Sequence, residues 1–203
     1  MRSITFLLIA FLSQCRSFSA PAVRWTATQL EHFCDEEQVV LTFSTLGPGY
    51  RCVARAKHNT TLILGYVEGF VRSPVLHLDK MQVFAKSVQQ CRDENPDFRN
   101  GGTTLGVGLL LGYQCLLFGQ EKGCRDGEFL AIDDEEYQHK RLVRYYKQAG
   151  FDVIKYVGDD FRDIPDRMVW GGCGTLLRKD IGFLLDFWSM LLDRSVAERR
   201  VKQ

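Results

Sequence analysis

Between Val107 and Phe118 apolar residues fall on nearly every side of a helix: Val107, Leu109, Leu110, Leu111, Tyr113, Cys115, Leu116, Leu117 and Phe118. A helix that is apolar all round has to be enclosed, so the fold must supply layers around it. Gly106 opens the segment and Gly123 is placed to cap it. What precedes it reads as strands. Residues 39–44 (VVLTFS) are β-branched and aromatic, and Gly47-Pro48-Gly49 makes a turn. Residues 50–57 alternate, with Tyr50, Cys52, Ala54 and Ala56 on one face and Arg51, Val53, Arg55 and Lys57 on the other. Residues 62–72 and 76–84 continue as a third and a fourth strand, and the short connections make an antiparallel meander. A short helix over 28–37 stands before it, and the polar stretch 86–104 reads as a loop or irregular insertion. After the enclosed helix come a strand at 128–132, a helix at 137–149 stopped by Gly150, strands at 151–157 and 167–170, and an amphipathic helix at 181–199. The acids Asp133, Asp134, Glu135 and Glu136 suit the start of the 137–149 helix. The fold class is therefore mixed α/β (α+β), with a mostly antiparallel sheet and helices on both faces.

The 203 residues suit one such domain. A net charge of +1 gives no field that selects nucleic acid or a membrane surface. Seven cysteines, at 15, 34, 52, 91, 115, 124 and 173, contain no C-x-x-C pair. Neither a metal site nor a disulfide framework is expected, and the thiols read as small buried residues in a reducing compartment. The N-terminus looks like a leader. Residues 4–12 (ITFLLIAFL) follow Arg2 and are too few to span a bilayer, which suits a cleaved signal peptide over 1–17 and no lasting membrane span. Residues 18–30 contain no acid, the first being Glu31, and are rich in Ser, Thr, Ala and Arg, which is transit-peptide composition. The run Ser17-Phe18-Ser19-Ala20-Pro21 resembles the two-part presequence of nucleus-encoded proteins of secondary plastids. The expected destination is a plastid, with the secretory pathway as the alternative and the folded domain over 31–203.

The strand–glycine–helix junction is where chemistry is expected. Thr103-Thr104-Leu105-Gly106-Val107-Gly108 leads into the enclosed helix, where unpaired N–H groups and the helix dipole favour an anion. Gly-Lys-Ser/Thr is missing, so this is no Walker loop, and Leu111 stands where a dinucleotide fingerprint would have its third glycine. Downstream, the 137–149 helix ends in Tyr146-Lys147-Gln148-Ala149-Gly150-Phe151. The loop resembles the R/Q-x-x-G-x-G/A loop of the GNAT superfamily of acyl-CoA N-acyltransferases, and the helix end resembles that family's Tyr-x-Lys-x-Gly-Phe segment. The likeness covers about residues 39–177, and the segments 130–151 and 168–175 also look like an uncharacterised plastid-type branch of these proteins in plants.

The resemblance implies a fold in which the fourth and fifth strands splay apart to admit the pantetheine arm of acetyl-CoA. Thr103, Thr104, Leu105, Gly106, Val107 and Gly108 would then cradle the pyrophosphate, and the end of the fourth strand, with Val83, would hold the pantetheine. His139 falls where relatives have a cofactor-touching asparagine. Tyr146 falls where they have the tyrosine that protonates the departing CoA thiolate; as a residue it reads equally well as an aromatic packed at a helix end. Thr103 replaces the usual Arg or Gln, and Gln148 a usual lysine. Catalysis also needs a base for the incoming ammonium, and Glu68, His77 and Asp79 are the candidates. Alternation puts His77, Asp79, Met81 and Val83 on one face of the fourth strand. The implied function is direct acetyl transfer from acetyl-CoA, without a metal, to a primary amine of a protein or metabolite. The alternative is a catalytically degenerate CoA-binding or scaffolding module.

Overall fold

The computed structural model describes residues 23–202; the expected signal peptide and most of the transit segment lie outside the described residues. Six helices and seven strands follow in the order α1 (Ala27–Glu36), β1 (Val39–Leu46), β2 (Gly49–Ala56), β3 (Ile63–Arg72), β4 (Val75–Val83), α2 (Ala85–Glu94), α3 (Val107–Glu121), β5 (Asp126–Ile132), α4 (Glu136–Gln148), β6 (Asp152–Val157), α5 (Ile164–Trp170), β7 (Gly174–Asp180) and α6 (Ile181–Lys202). The strands form one mixed sheet in the order β1-β2-β3-β4-β5-β7-β6. Every neighbouring pair is antiparallel except β4 and β5.

That parallel pair is short. Val75 to Leu78 match Asp126 to Phe129, after which β4 runs on to Val83 beside β3 and β5 to Ile132 beside β7, no longer paired with each other. The implied fork between the fourth and fifth strands is therefore present, with Leu78 and Phe129 at its apex. The connection through α3 is long enough to bring β5 parallel to β4.

Alternate residues of β5 divide the interior. Phe129 and Ala131 belong to a large core shared with α1, α3 and α6, whereas Leu130 joins Val157, Leu176 and Trp170 of α5 on the opposite face. With both faces covered, Asp126 to Ala131 are all buried. As its composition requires, α3 buries Leu109, Leu110, Leu111, Tyr113, Cys115 and Leu116 to 2% exposure or less. It ends in a Schellman motif: Gly123 has φ +75°, its N–H reaches the Gln120 carbonyl, and the Cys124 N–H reaches that of Gly119.

Four expectations change. The 86–104 stretch contains a helix, α2, which buries only Val88 and Cys91 and has no side-chain cap. Residues 167–170 are the end of α5 and not a strand, with Pro165 in its first turn and left-handed Gly171 after it. The missing strand is β7, inserted between β5 and β6. On β4, Glu68 pairs with Lys80 but Gly69 with Leu78, so Asp79 is one extra residue. A bulge of one residue reverses the faces: His77 packs with Phe70 and Trp170, while Met81 and Val83 lie beside Gly108 of α3. His77 and Val83 therefore do not share a face.

Residues 24–30, expected to be the end of the leader, are built into the domain. Trp25 and Leu30 are buried, and Thr26 and Gln29 form a capping box for α1.

Candidate functional site

The glycine loop is shaped by its backbone. Gly101, Gly102 and Gly106 have φ of +74°, +66° and +62°, and Gly106, with ψ −154°, is a conformation open essentially to glycine alone. A Cβ on Gly106 would also lie 2.7 Å from the Asn100 amide nitrogen. Gly106 is the N-cap of α3 and offers no side chain, so the first-turn N–H groups of Val107 and Gly108 are left for another partner.

In front of this helix end lies a cleft of about 600 Å³, walled by Met81 and Val83 of β4, by Asn100, Thr104, Leu105 and Gly106, and by Gln138, Arg141, Leu142, Arg144, Tyr145, Tyr146 and Gln148 of α4. No acid is among its walls, while two arginines are. A helix N-terminus and two guanidinium groups give this acid-free cleft an electropositive lining, which would favour an anion. The expected residues Val83, Thr104, Leu105, Gly106 and Tyr146 thus meet there, and Gly108 adjoins it under the Tyr145 hydroxyl. Val107 can contribute only its backbone, because its side chain is in the core.

Two expected residues stand elsewhere. Thr103 lines a separate pocket behind the loop, with Arg99, Arg194, Ser195 and Arg199, and its buried hydroxyl has no partner. There Glu37, fully buried, pairs with Arg99 and Arg199, and Ser195 donates to the Gly102 carbonyl at 2.6 Å. This network braces the loop from α1 and α6. His139 faces away from the cleft, its Nε2 2.9 Å from the Thr175 hydroxyl and its Nδ1 3.5 Å from Asp133.

Tyr146 is 5% exposed and packs against Phe129, the ring centroids 4.1 Å apart and the planes tilted by 32°. Burial, and then the neighbouring Tyr145, push its phenol well above the ordinary tyrosine range. The Tyr146–Phe151 segment has a local cause. Gly150, at φ +99°, carries the chain out of α4 so that the Gly150 N–H reaches the Lys147 carbonyl and the Phe151 N–H that of Tyr146. Phe151 then packs edge-on against Tyr146 at 6.1 Å, the apolar contact that accompanies such a cap. Tyr145 donates to the Leu105 carbonyl at 3.3 Å. Arg141, Arg144 and Asn100 were not singled out in the sequence, where Tyr145 reads as a packing residue; on α4 the spacing of 141, 144 and 145 does mark one helical face.

The base candidates lie across β4 from the cleft. Glu68 and Asp79 share a pocket of about 540 Å³ with Tyr50, Arg51, Gly69 and Phe70. Asp79, the bulge residue, follows Leu78 at the fork's apex. Its carboxyl is held above the ordinary aspartate range, first by burial and then by the Glu68 carboxylate, with Lys80 opposing. Glu68 is 3.8 Å from Arg51. The bulge needs its glycine, since a Cβ on Gly69 would lie 1.9 Å from the His77 carbonyl oxygen, which accepts from the Tyr50 hydroxyl at 3.0 Å. His77 itself is buried between Phe70 and Trp170, 3.6 Å from Glu128, which pairs with Arg178. Among the described residues no cluster of three or more His, Cys, Asp or Glu is arranged to hold a metal, and no helix is long and apolar enough to cross a membrane.

No protein-family model and no curated protein matches the chain. Among solved structures it is similar to a GNAT-family acetyltransferase from Staphylococcus aureus, with 13% identity over 78% of this chain and 97% of that one and a TM-score of 0.45. It is also similar to a Bacillus subtilis acetyltransferase in complex with CoA (13%, 70% and 95%, 0.42) and to Ard1 from Thermoplasma volcanium (13%, 77% and 80%, 0.42).

Proposed function

We propose that the chain is an acyl-CoA-dependent N-acyltransferase that moves an acetyl group to a primary amine. The observation that carries this reading is the fork beyond Leu78 and Phe129, which opens beside an uncapped helix N-terminus in an acid-free cleft with Arg141 and Arg144. Such a cleft suits a long ligand with a polyanionic head and a neutral, hydrogen-bonding arm, which is the chemistry of an acyl-CoA. The loop N–H groups and the two arginines would hold the phosphates. Met81, Val83, Tyr145 and Tyr146 would wall the arm.

In the reaction Asp79 takes a proton from the acceptor ammonium, directly or through a water, and Glu68 beside it favours a cationic acceptor. The amine nitrogen bonds to the thioester carbon as the carbon–sulfur bond breaks, Tyr146 gives its proton to the departing thiolate, and the second proton, shed by the nitrogen as the amide forms, passes through water to restore the phenol. The cleft and the acidic pocket lie on either side of β4, so the two substrates would approach from opposite sides of the strand. The leader pattern supports delivery to a plastid as part of the same proposal.

Calorimetric titration with acetyl-CoA, followed by thiol release with a panel of amines, tests the reading. Binding with release of one thiol per amide is expected. No binding at millimolar acetyl-CoA would reject it, and binding without turnover on any amine would leave the scaffolding alternative.

A further inference from the structure

We infer that Trp188 of α6, together with Met81 of β4, sets the length of the acyl group this site accepts. The inference rests on the acyl-CoA reading and adds to it the residues that choose the acyl chain.

At the apex of the fork the space narrows to an apolar cavity of about 10 Å³, whose walls include Leu78, Met81, Gly112, Phe129, Tyr146 and Trp188. Met81, Tyr145 and Tyr146 also wall the 600 Å³ cleft, so the cavity adjoins its inner end. Its size is about that of one water molecule, and a terminal methyl group is of similar size. Apart from the phenols of Tyr145 and Tyr146, no titratable side chain lines it. An acetyl methyl fits such a space; a longer chain must displace a wall.

The walls resist displacement. Trp188 is 4% exposed, and its indole N–H donates to the Ala149 carbonyl at 2.7 Å, so the ring is fixed at its edge. Its six-membered ring abuts Gly112, where a Cβ would come within 2.9 Å of the ring and 3.6 Å of the Met81 methyl. Gly112 therefore leaves the little room there is. Phe129 packs against Tyr146 with ring centroids 4.1 Å apart. Interiors packed at this density accommodate an added methylene poorly, and one methylene in a fitted apolar pocket discriminates by on the order of 10- to 200-fold.

The test compares acetyl-CoA with butyryl-CoA as donors for the full-length protein and for Trp188→Leu and Met81→Ala. Wild type should prefer acetyl-CoA by on the order of 10²-fold or more in kcat/KM. Each variant should raise the butyryl-to-acetyl ratio by at least about tenfold. The ratio is read within one sample, so partial unfolding of a variant does not change it. If wild type binds without turnover, the ratio of Kd values is read instead. Equal use of both donors by wild type, or an unchanged ratio in both variants, would overturn the inference while leaving the acyl-CoA reading intact. Failure of wild type to bind either thioester would overturn both.

Discussion

Tyr146 and Asp79 are the residues whose chemistry and packing pull in different directions. Tyr146 is accounted for by structure alone, as the aromatic on which Phe151 closes the end of α4. Tyr146→Phe keeps that packing and removes only the proton donor. It should lower kcat by about 10²–10⁴-fold and leave acetyl-CoA affinity and Tm nearly unchanged; wild-type turnover in steady-state assays would make the residue a helix-end anchor and nothing more. Asp79 is held above the ordinary aspartate range, so the native state binds its proton more tightly than the unfolded chain does. Stability then falls as pH rises from the unfolded value to the folded one, and the ionised carboxylate is carried at a cost at neutral pH. Asp79→Asn should therefore raise Tm at pH 7 while lowering kcat/KM by about 10²–10⁴-fold and removing the acid limb of its pH profile. Loss of Tm with unchanged kinetics would assign Asp79 to the bulge alone. His77 has the opposite sign: burial, then Arg72 and Arg178, lower it from 6.5 to about 4. The unfolded chain takes up a proton between those values and the native state does not, so stability drains as pH falls through the window. In a series of melts from pH 7 to pH 4, His77→Phe should flatten that decline.

What the sequence reveals of each element depends on how strongly its own residues demand it. The enclosed helix α3 is legible because no other arrangement hides so many apolar side chains, and β2 because its alternation is unbroken from Tyr50 to Ala56. The β4 faces are not legible, since the bulge at Asp79 is set by the register against β3 and by the absence of a side chain on Gly69. Helix α2 buries two residues and β7 carries a polar end, Arg178-Lys179-Asp180, so neither has a pattern that outweighs its polar composition. In the site, the glycine loop was readable as backbone chemistry. Its supporting partners were not, because Arg141 and Arg144 come from a helix 30-odd residues on and Asn100 from the polar insertion, which meet the loop only in the folded chain. The insertion therefore belongs to the loop, with Asn100 against Gly106 and Arg99 on Glu37. Gly106→Ala would force an L-residue into an essentially glycine-only conformation and press on Asn100. It should cost about 1–3 kcal/mol in denaturant unfolding and weaken acetyl-CoA binding in calorimetry. Equal affinity would remove the loop from the proposed phosphate site.

At the scale of the whole molecule, the two ends of the described chain are fastened to each other. Trp25 donates its backbone N–H to the Ser189 hydroxyl at 3.1 Å and its indole N–H to Asp193 at 2.8 Å, and its carbonyl accepts from the Tyr113 hydroxyl at 3.1 Å. Arg24 pairs with Asp186, and Glu36 and Glu37 with Arg199. Apart from Tyr113 of α3, these partners belong to α6, which also carries Trp188 at the apex of the fork and Ser195 behind the glycine loop. The N-terminal segment thus fixes the helix that braces the site from both sides, and a leader cut downstream of Trp25 would unseat it. If a leader is removed, the new N-terminus should be found at or before Arg24 by N-terminal sequencing. The physical counterpart is a comparison of chains beginning at Val23 and at Ala27. Losing Trp25 is a large-to-nothing core deletion worth about 3–5 kcal/mol, which in a domain of this size lowers Tm by on the order of 10 °C. Because α6 moves with its anchor, the shorter chain should also lose acetyl-CoA affinity; equal Tm and equal affinity in the two chains would show that α6 holds its place without the segment before α1.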